Sequence, residues 1–271
     1  MDQETLRKVQ LTQLDIFKQV QKVAQANGIA VFLAYGTLLG AVRHRGFIPW
    51  DDDIDLFVLR EDYDRLMSLL AAELEAPYWL QSYDTDPGYW QGFAKVRKSG
   101  TVYKEQATGR LDDSKCGIWI DIFPLDGAGR SGGWGLKLRK LLVETMGFSL
   151  QKRLLKRPLS CFSRRYLPLM LLWRPIPIRV LKRWQVRIAR RHSRKPTKWL
   201  ACFLGTDRIE KETFRAQWFS EAAQLPFEDV LCDVPHAYDE LLTHVYGDYM
   251  TPPPPEARGG HNADGQSSVV V

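Results

Sequence analysis

A-Y-G-T-L-L-G-A-V-R-H-R-G-F-I-P-W-D-D-D-I-D-L-F-V, residues 34–58, is the stretch on which the fold turns. Gly36-Thr37 stands near its start. Four carboxylates in five positions, Asp51, Asp52, Asp53 and Asp55, stand directly before Leu56-Phe57-Val58. Ionised carboxylates repel one another and are costly to bury without a partner. A divalent cation resolves both difficulties. If residues 54–59 form a strand, alternation puts Asp53 and Asp55 on one face and Ile54, Leu56 and Val58 on the other. Two carboxylates so spaced suit Mg²⁺, which takes oxygen ligands and keeps positions for water and substrate phosphates. Upstream, residues 31–34 read as another strand, which Gly36-Thr37 turns into a short helix from about Leu38. Backbone N–H groups at a helix start receive phosphate. A Gly-Thr turn facing an Asp-x-Asp strand is therefore a candidate nucleotide and metal site. Asp51 and Asp52 read equally well as a solvated acidic loop.

The 271 residues allow one large domain or a domain with an appendage. The four cysteines, Cys116, Cys161, Cys202 and Cys232, are widely spaced and form no C-x-x-C pair. That spacing argues against a zinc site or a disulfide framework and suits a reducing cytosol. The polar start has no apolar h-region, so no secretory signal is expected. The net charge of +6 averages two opposite parts. Residues 134–199 carry nineteen Lys or Arg against one acid, Glu144, and the remainder is acidic. Such asymmetry points to an anionic partner.

Further signals follow along the chain. Residues 6–26 have helical apolar spacing, with Gln and Lys on the wet face, and Asn27-Gly28 ends the helix. Arg43 and Arg45 are candidates for nucleotide phosphates, since guanidinium groups pair with them bidentately, or else plain loop charges. Residues 91–97 and 101–103 read as two strands joined at Ser99-Gly100 in a hairpin. Lys95 and Arg97 alternate onto one face there, either as a solvated face or as a phosphate clamp. Residues 118–123 form an apolar strand carrying one carboxylate, Asp121, which would be stranded without partners. A metal shared with Asp53 and Asp55 would explain it. Asp126 reads as a turn cap before Gly127. Val234-Pro235 should start a helix that Gly247 ends, and the chain from about residue 252 reads as an extended tail.

Residues 134–199 interleave leucines with Lys and Arg. Their most apolar run, 166–173, is far shorter than the roughly 20 residues of a membrane span. Basic amphipathic helices with Leu and Trp lie in the membrane interface, so peripheral attachment to an anionic membrane surface is expected. A helical lobe with solvated arginines is the plain alternative. No nucleic-acid partner is expected, because no known reader motif accompanies the basic patch.

The run from Gly36 to Leu56 resembles the signature of the LicD/fukutin-type family of the nucleotidyltransferase superfamily. W-I-D-I-F-P-L-D-G (residues 119–127) and Y-G-D-Y-M-T-P-P (residues 246–253) resemble it too. The resemblance implies transfer of a phosphorylated alcohol, notably phosphocholine from CDP-choline or another CDP-alcohol, to a hydroxyl of a cell-surface glycan. It implies Mg²⁺ or Mn²⁺ on a catalytic trio of Asp53, Asp55 and Asp121. Gly36, Thr37 and Asp51, with Arg43 or Arg45 and the K-x-R pair Lys95 and Arg97, would contact nucleotide or phosphate. His261 is a further phosphate candidate at a place where the family has a histidine. For choline, Trp50, Tyr83, Trp90 and Tyr103 are available as cation–π partners.

The expected fold is α/β (α+β): a nucleotidyltransferase-like mixed sheet flanked by helices, with a basic helical lobe. The expected parts are a catalytic core at 1–133, the lobe at 134–200, and a C-terminal part at 201–271 that returns to the core. The expected location is cytoplasmic, at the inner membrane face. Rival functions are nucleotidyl transfer from an NTP with pyrophosphate release, and a non-catalytic module that binds membrane or nucleic acid.

Overall fold

A computed structural model describes residues 1–104, 111–129, 131–254, 256, 258 and 268–271. Helix α1 (Gln3–Ala26) begins at Asp2, whose carboxylate accepts the Thr5 N–H at 2.7 Å. Its apolar stripe, including Val9, Phe17 and Val20, is buried as the spacing predicts. Its glutamines depart from expectation: Gln10 and Gln13 are buried, because the acidic loop offers them backbone carbonyls.

Strand β1 (Phe32–Leu33) leads straight into α2 (Tyr35–His44). The helix starts three residues earlier than expected, since the Leu38 N–H already bonds the Ala34 carbonyl at 3.0 Å. Gly36 and Thr37 thus lie within its first turn rather than in a turn before it. Then come β2 (Asp55–Leu59), α3 (Arg60–Glu73), β3 (Tyr78–Gln81), β4 (Ala94–Lys98), β5 (Val102–Lys104) and β6 (Trp119–Gly127).

The central sheet runs β1-β2-β6-β4-β3. Only β2 and β6 are parallel in it, so the sheet is mixed, as expected. Beyond this path, β7 (Trp199–Ala201) pairs with the end of β6, and β8 (Thr213–Arg215) pairs with β7. The expected hairpin at Ser99-Gly100 does not form. Both edges of β4 are taken, by β3 and β6, and β5 pairs instead with β11 (Ser268–Val270). A separate hairpin joins β9 (Ala222–Phe227) to β10 (Val230–Pro235), and α7 (Tyr238–Tyr246) follows, ended at Gly247 as expected.

Asp126 is no turn cap. It lies within β6, fully buried, and accepts two hydrogen bonds of 2.8 Å from the Arg60 guanidinium and one from Ser193. The sheet continues past Asp126 because β7 adds there.

One hydrophobic core runs from Val9 on α1 to Tyr249 after α7. Helices α4 (Trp134–Leu154), α5 (Leu167–Leu172) and α6 (Ile178–Ala189) build the basic lobe around two smaller cores. Part of the lobe's charge is structural. Buried Arg139 donates to the Gly127 and Ala189 carbonyls, Lys140 to the Gly205 carbonyl, and Lys182 to the Pro87 carbonyl. Among the described residues no helix is long and apolar enough to cross a membrane.

Candidate active site

The parallel pairing of β2 with β6 sets Asp55 directly beside Asp121. The antiparallel pairing of β6 with β4 sets Asp121 directly beside Lys95. Three strands that are distant in sequence thus carry one charged row. The Lys95 ammonium meets the Asp121 Oδ1 at 2.5 Å and stands 4.5 Å from the Trp119 ring centre. The row lines a pocket of about 720 Å³, joined there by Gly36, Asp51 and Asp53. Helix α4 supplies part of the lining, with Glu144, Phe148 and Gln151.

The acidic loop is held from behind. The Gln10 and Gln13 amides donate to the carbonyls of Asp51 and Asp52, at 2.9 and 2.7 Å. The Tyr103 hydroxyl donates to the Asp52 carboxylate at 2.5 Å, and Asp52 is buried. Thr37 accepts the Asp55 N–H at 2.9 Å on its side-chain oxygen, which pins α2 to the start of β2. A Cβ on Gly36 would stand 2.7 Å from an Asp51 carboxylate oxygen, so only glycine lets the first turn of α2 approach this loop so closely.

Burial, and then the charges of Asp53, Asp121 and Asp51, hold the Asp55 carboxyl well above the usual carboxylate range, while Lys95 pulls the other way. Crowded hard oxygen donors with such repulsion are the chemistry a divalent cation relieves. Among the described residues no three acidic, histidine or cysteine side chains are gathered into a finished metal cage. Lys95 stands on one Asp121 oxygen, and an oxygen-binding cation keeps substrate and water among its ligands.

Arg43, Arg45 and Arg97, also expected at the site, do not line the pocket. Arg97 is buried in the sheet, donating to Gln81 and to the Gly117 carbonyl at 2.6 Å each, and does not line the pocket. Arg43 donates to the Tyr249 carbonyl. Arg45 caps α2 in the left-handed region and borders a separate groove with Arg7 and Glu228. His261 lies outside the described residues. Of the four aromatics considered for choline, only Trp90 lines the pocket.

A second polar cluster in the same pocket has no local signal in the chain. The Tyr35 hydroxyl donates to Glu212, 177 positions away, and the Asp207 N–H also reaches Glu212, at 3.2 Å. Burial pushes the Glu212 carboxyl up to about 7. The folded state therefore keeps this proton to a higher pH than the unfolded chain, and stability should fall as pH rises from about 4.5 to about 7. The full drop is on the order of 3 kcal/mol. Glu212→Gln should flatten that part of the profile in urea unfolding measured from pH 5 to 8. Identical slopes in parent and variant would contradict this.

The mixed sheet thus carries carboxylates side by side on its one parallel pair of strands. Residues 28–127 match the LicD/FKTN/FKRP nucleotidyltransferase domain, in line with the resemblance carried by residues 36–56 and 119–127. It is 28% identical to the lipopolysaccharide cholinephosphotransferase LicD of Haemophilus influenzae, over 97% of each chain. It is 43% identical over 56 residues to the human ribitol 5-phosphate transferase FKRP, covering 21% of this chain and 11% of that protein. It is 31% identical over 115 residues to the mannosyltransferase regulator 4 of Saccharomyces cerevisiae, covering 40% of this chain and 9% of that protein.

Proposed function

We propose that the protein transfers a phosphorylated alcohol from a CDP-alcohol to a hydroxyl of a cell-surface glycan, with phosphocholine the first candidate. The observation that carries this reading is the row Asp55, Asp121, Lys95 beside Asp53 in one pocket. The end-to-end similarity to a lipopolysaccharide cholinephosphotransferase supports the choice of alcohol and acceptor.

Asp53, Asp55 and Asp121 would hold Mg²⁺ or Mn²⁺. The bound cation would supply neutralisation of the donor's diphosphate and of the departing CMP. Gly36, in the first turn of α2, lines the pocket, so backbone N–H groups at that helix start are the candidate phosphate contacts. Lys95 adds a fixed positive charge and orients Asp121. The acceptor oxygen forms a bond to the distal phosphorus, the bond from that phosphorus to the CMP oxygen breaks, and the hydroxyl proton leaves to a nearby base. Asp121 is the candidate for that base. The roughly 720 Å³ pocket has room for a nucleotide-sized ligand, and α4 forms part of its wall.

The test is product analysis with purified protein, Mg²⁺, CDP-choline, other CDP-alcohols, CTP and a glycan fraction. CMP released from CDP-choline, with phosphocholine appearing on the glycan, is the expected result. CMP from a different CDP-alcohol keeps the reaction and changes the alcohol. Pyrophosphate from CTP would replace this reading with nucleotidyl transfer.

A further inference from the structure

Residues 145–206 contain no Asp or Glu. Within them, residues 156–179 are mostly exposed and include α5. This short helix buries only Met170 fully. Leu171 and Leu172 are 57% and 64% exposed, and Leu159, on the preceding turn of chain, is 44% exposed. Single exposed leucines are ordinary on a protein surface. Here two are adjacent, and the exposed cations around them in sequence are Lys156, Arg164, Arg165, Arg174 and Arg179. In contrast to Arg139, Lys140 and Lys182 of the same lobe, these five are not buried in the structure.

We propose that this face docks on an anionic phospholipid surface. Charge complementarity selects the occupant. Leucine side chains gain by entering the acyl boundary, and the surrounding cations gain beside anionic headgroups. A segment this rich in exposed cations also repels a second copy of itself. The docking face is close to the pocket: Phe148 lines the pocket, and its ring lies 5.8 Å from that of Phe162 and 5.1 Å from that of Tyr166. A bilayer bound here would therefore hold the pocket wall near the membrane plane. None of the exposed leucines and cations named here lines the pocket, so docking and turnover can succeed or fail independently.

The full-length protein is sedimented with vesicles of phosphatidylcholine alone and of phosphatidylcholine mixed with phosphatidylglycerol. Binding to the mixed vesicles only, lost on raising salt, is expected. The pairs Leu171→Ser with Leu172→Ser, and Arg164→Ser with Arg165→Ser, should each weaken that binding at least about tenfold. Thermal melts identify a pair that fails to fold, and the other then decides. No binding to anionic vesicles at low salt, or undiminished binding by both folded variants, overturns the proposal. So does tighter binding to a duplex nucleic acid than to the vesicles, or self-association abolished by the leucine pair with no vesicle binding.

Discussion

Asp55→Asn should lower CMP release from the donor by about 10³-fold or more, with the fold intact. The substitution keeps the shape and removes one negative charge from the row. Asp55 is crowded by the charges of Asp53, Asp121 and Asp51, and its backbone is fixed through Thr37. The charge that costs stability is the charge that would hold a cation. The variant should therefore melt at the same temperature as the parent or higher when divalent ions are absent. Added Mg²⁺ should raise the parent's melting temperature and leave that of the variant nearly unchanged. Turnover within tenfold of the parent would remove Asp55 from the reaction. A large drop in melting temperature would show a structural role instead.

The second large effect concerns stability. Asp126→Ala should destabilise the protein by about 3–5 kcal/mol, because it leaves the Arg60 guanidinium buried with its main partner gone. Arg60 is 6% exposed and Asp126 fully buried, and the two form a bidentate pair. Arg60 would retain only a 3.3 Å contact to the half-exposed Asp64 and its place over the Tyr63 ring. Ser193, which ties the end of α6 to the sheet, would lose its carboxylate as well. Replacing both partners, Arg60→Met with Asp126→Leu, should restore most of the loss, since two matched apolar groups leave no orphaned charge. Urea denaturation of the single and double variants measures both. A single-variant loss below about 1 kcal/mol would mean that water reaches Arg60.

Much of this architecture is legible in local patterns. The 3.6-residue spacing of Val9, Phe17 and Val20 marks α1, and the alternation after Asp53 marks β2. The lone Asp121 in an apolar run marks a carboxylate that needs company. Other readings failed where one residue's role depends on a distant one. Gln10 and Gln13 look like wet-face residues until the carbonyls of Asp51 and Asp52 arrive against them. Arg97 shares a strand face with Lys95, yet Gln81 and the Gly117 carbonyl take its donors. Asp126 has every local attribute of a turn residue, and Arg60 sixty-six positions away makes it a core residue.

By itself the sequence determined the periods, the strand that opens at Asp55, the family resemblance and the uneven charge, because each is written in neighbouring residues. Only the tertiary structure decided that Asp55, Asp121 and Lys95 form one row, that Tyr35 meets Glu212, and which cations of the lobe are buried and which face outward. Strand register and the pairing of buried charges are set by packing between segments tens to hundreds of residues apart, and no local pattern encodes them.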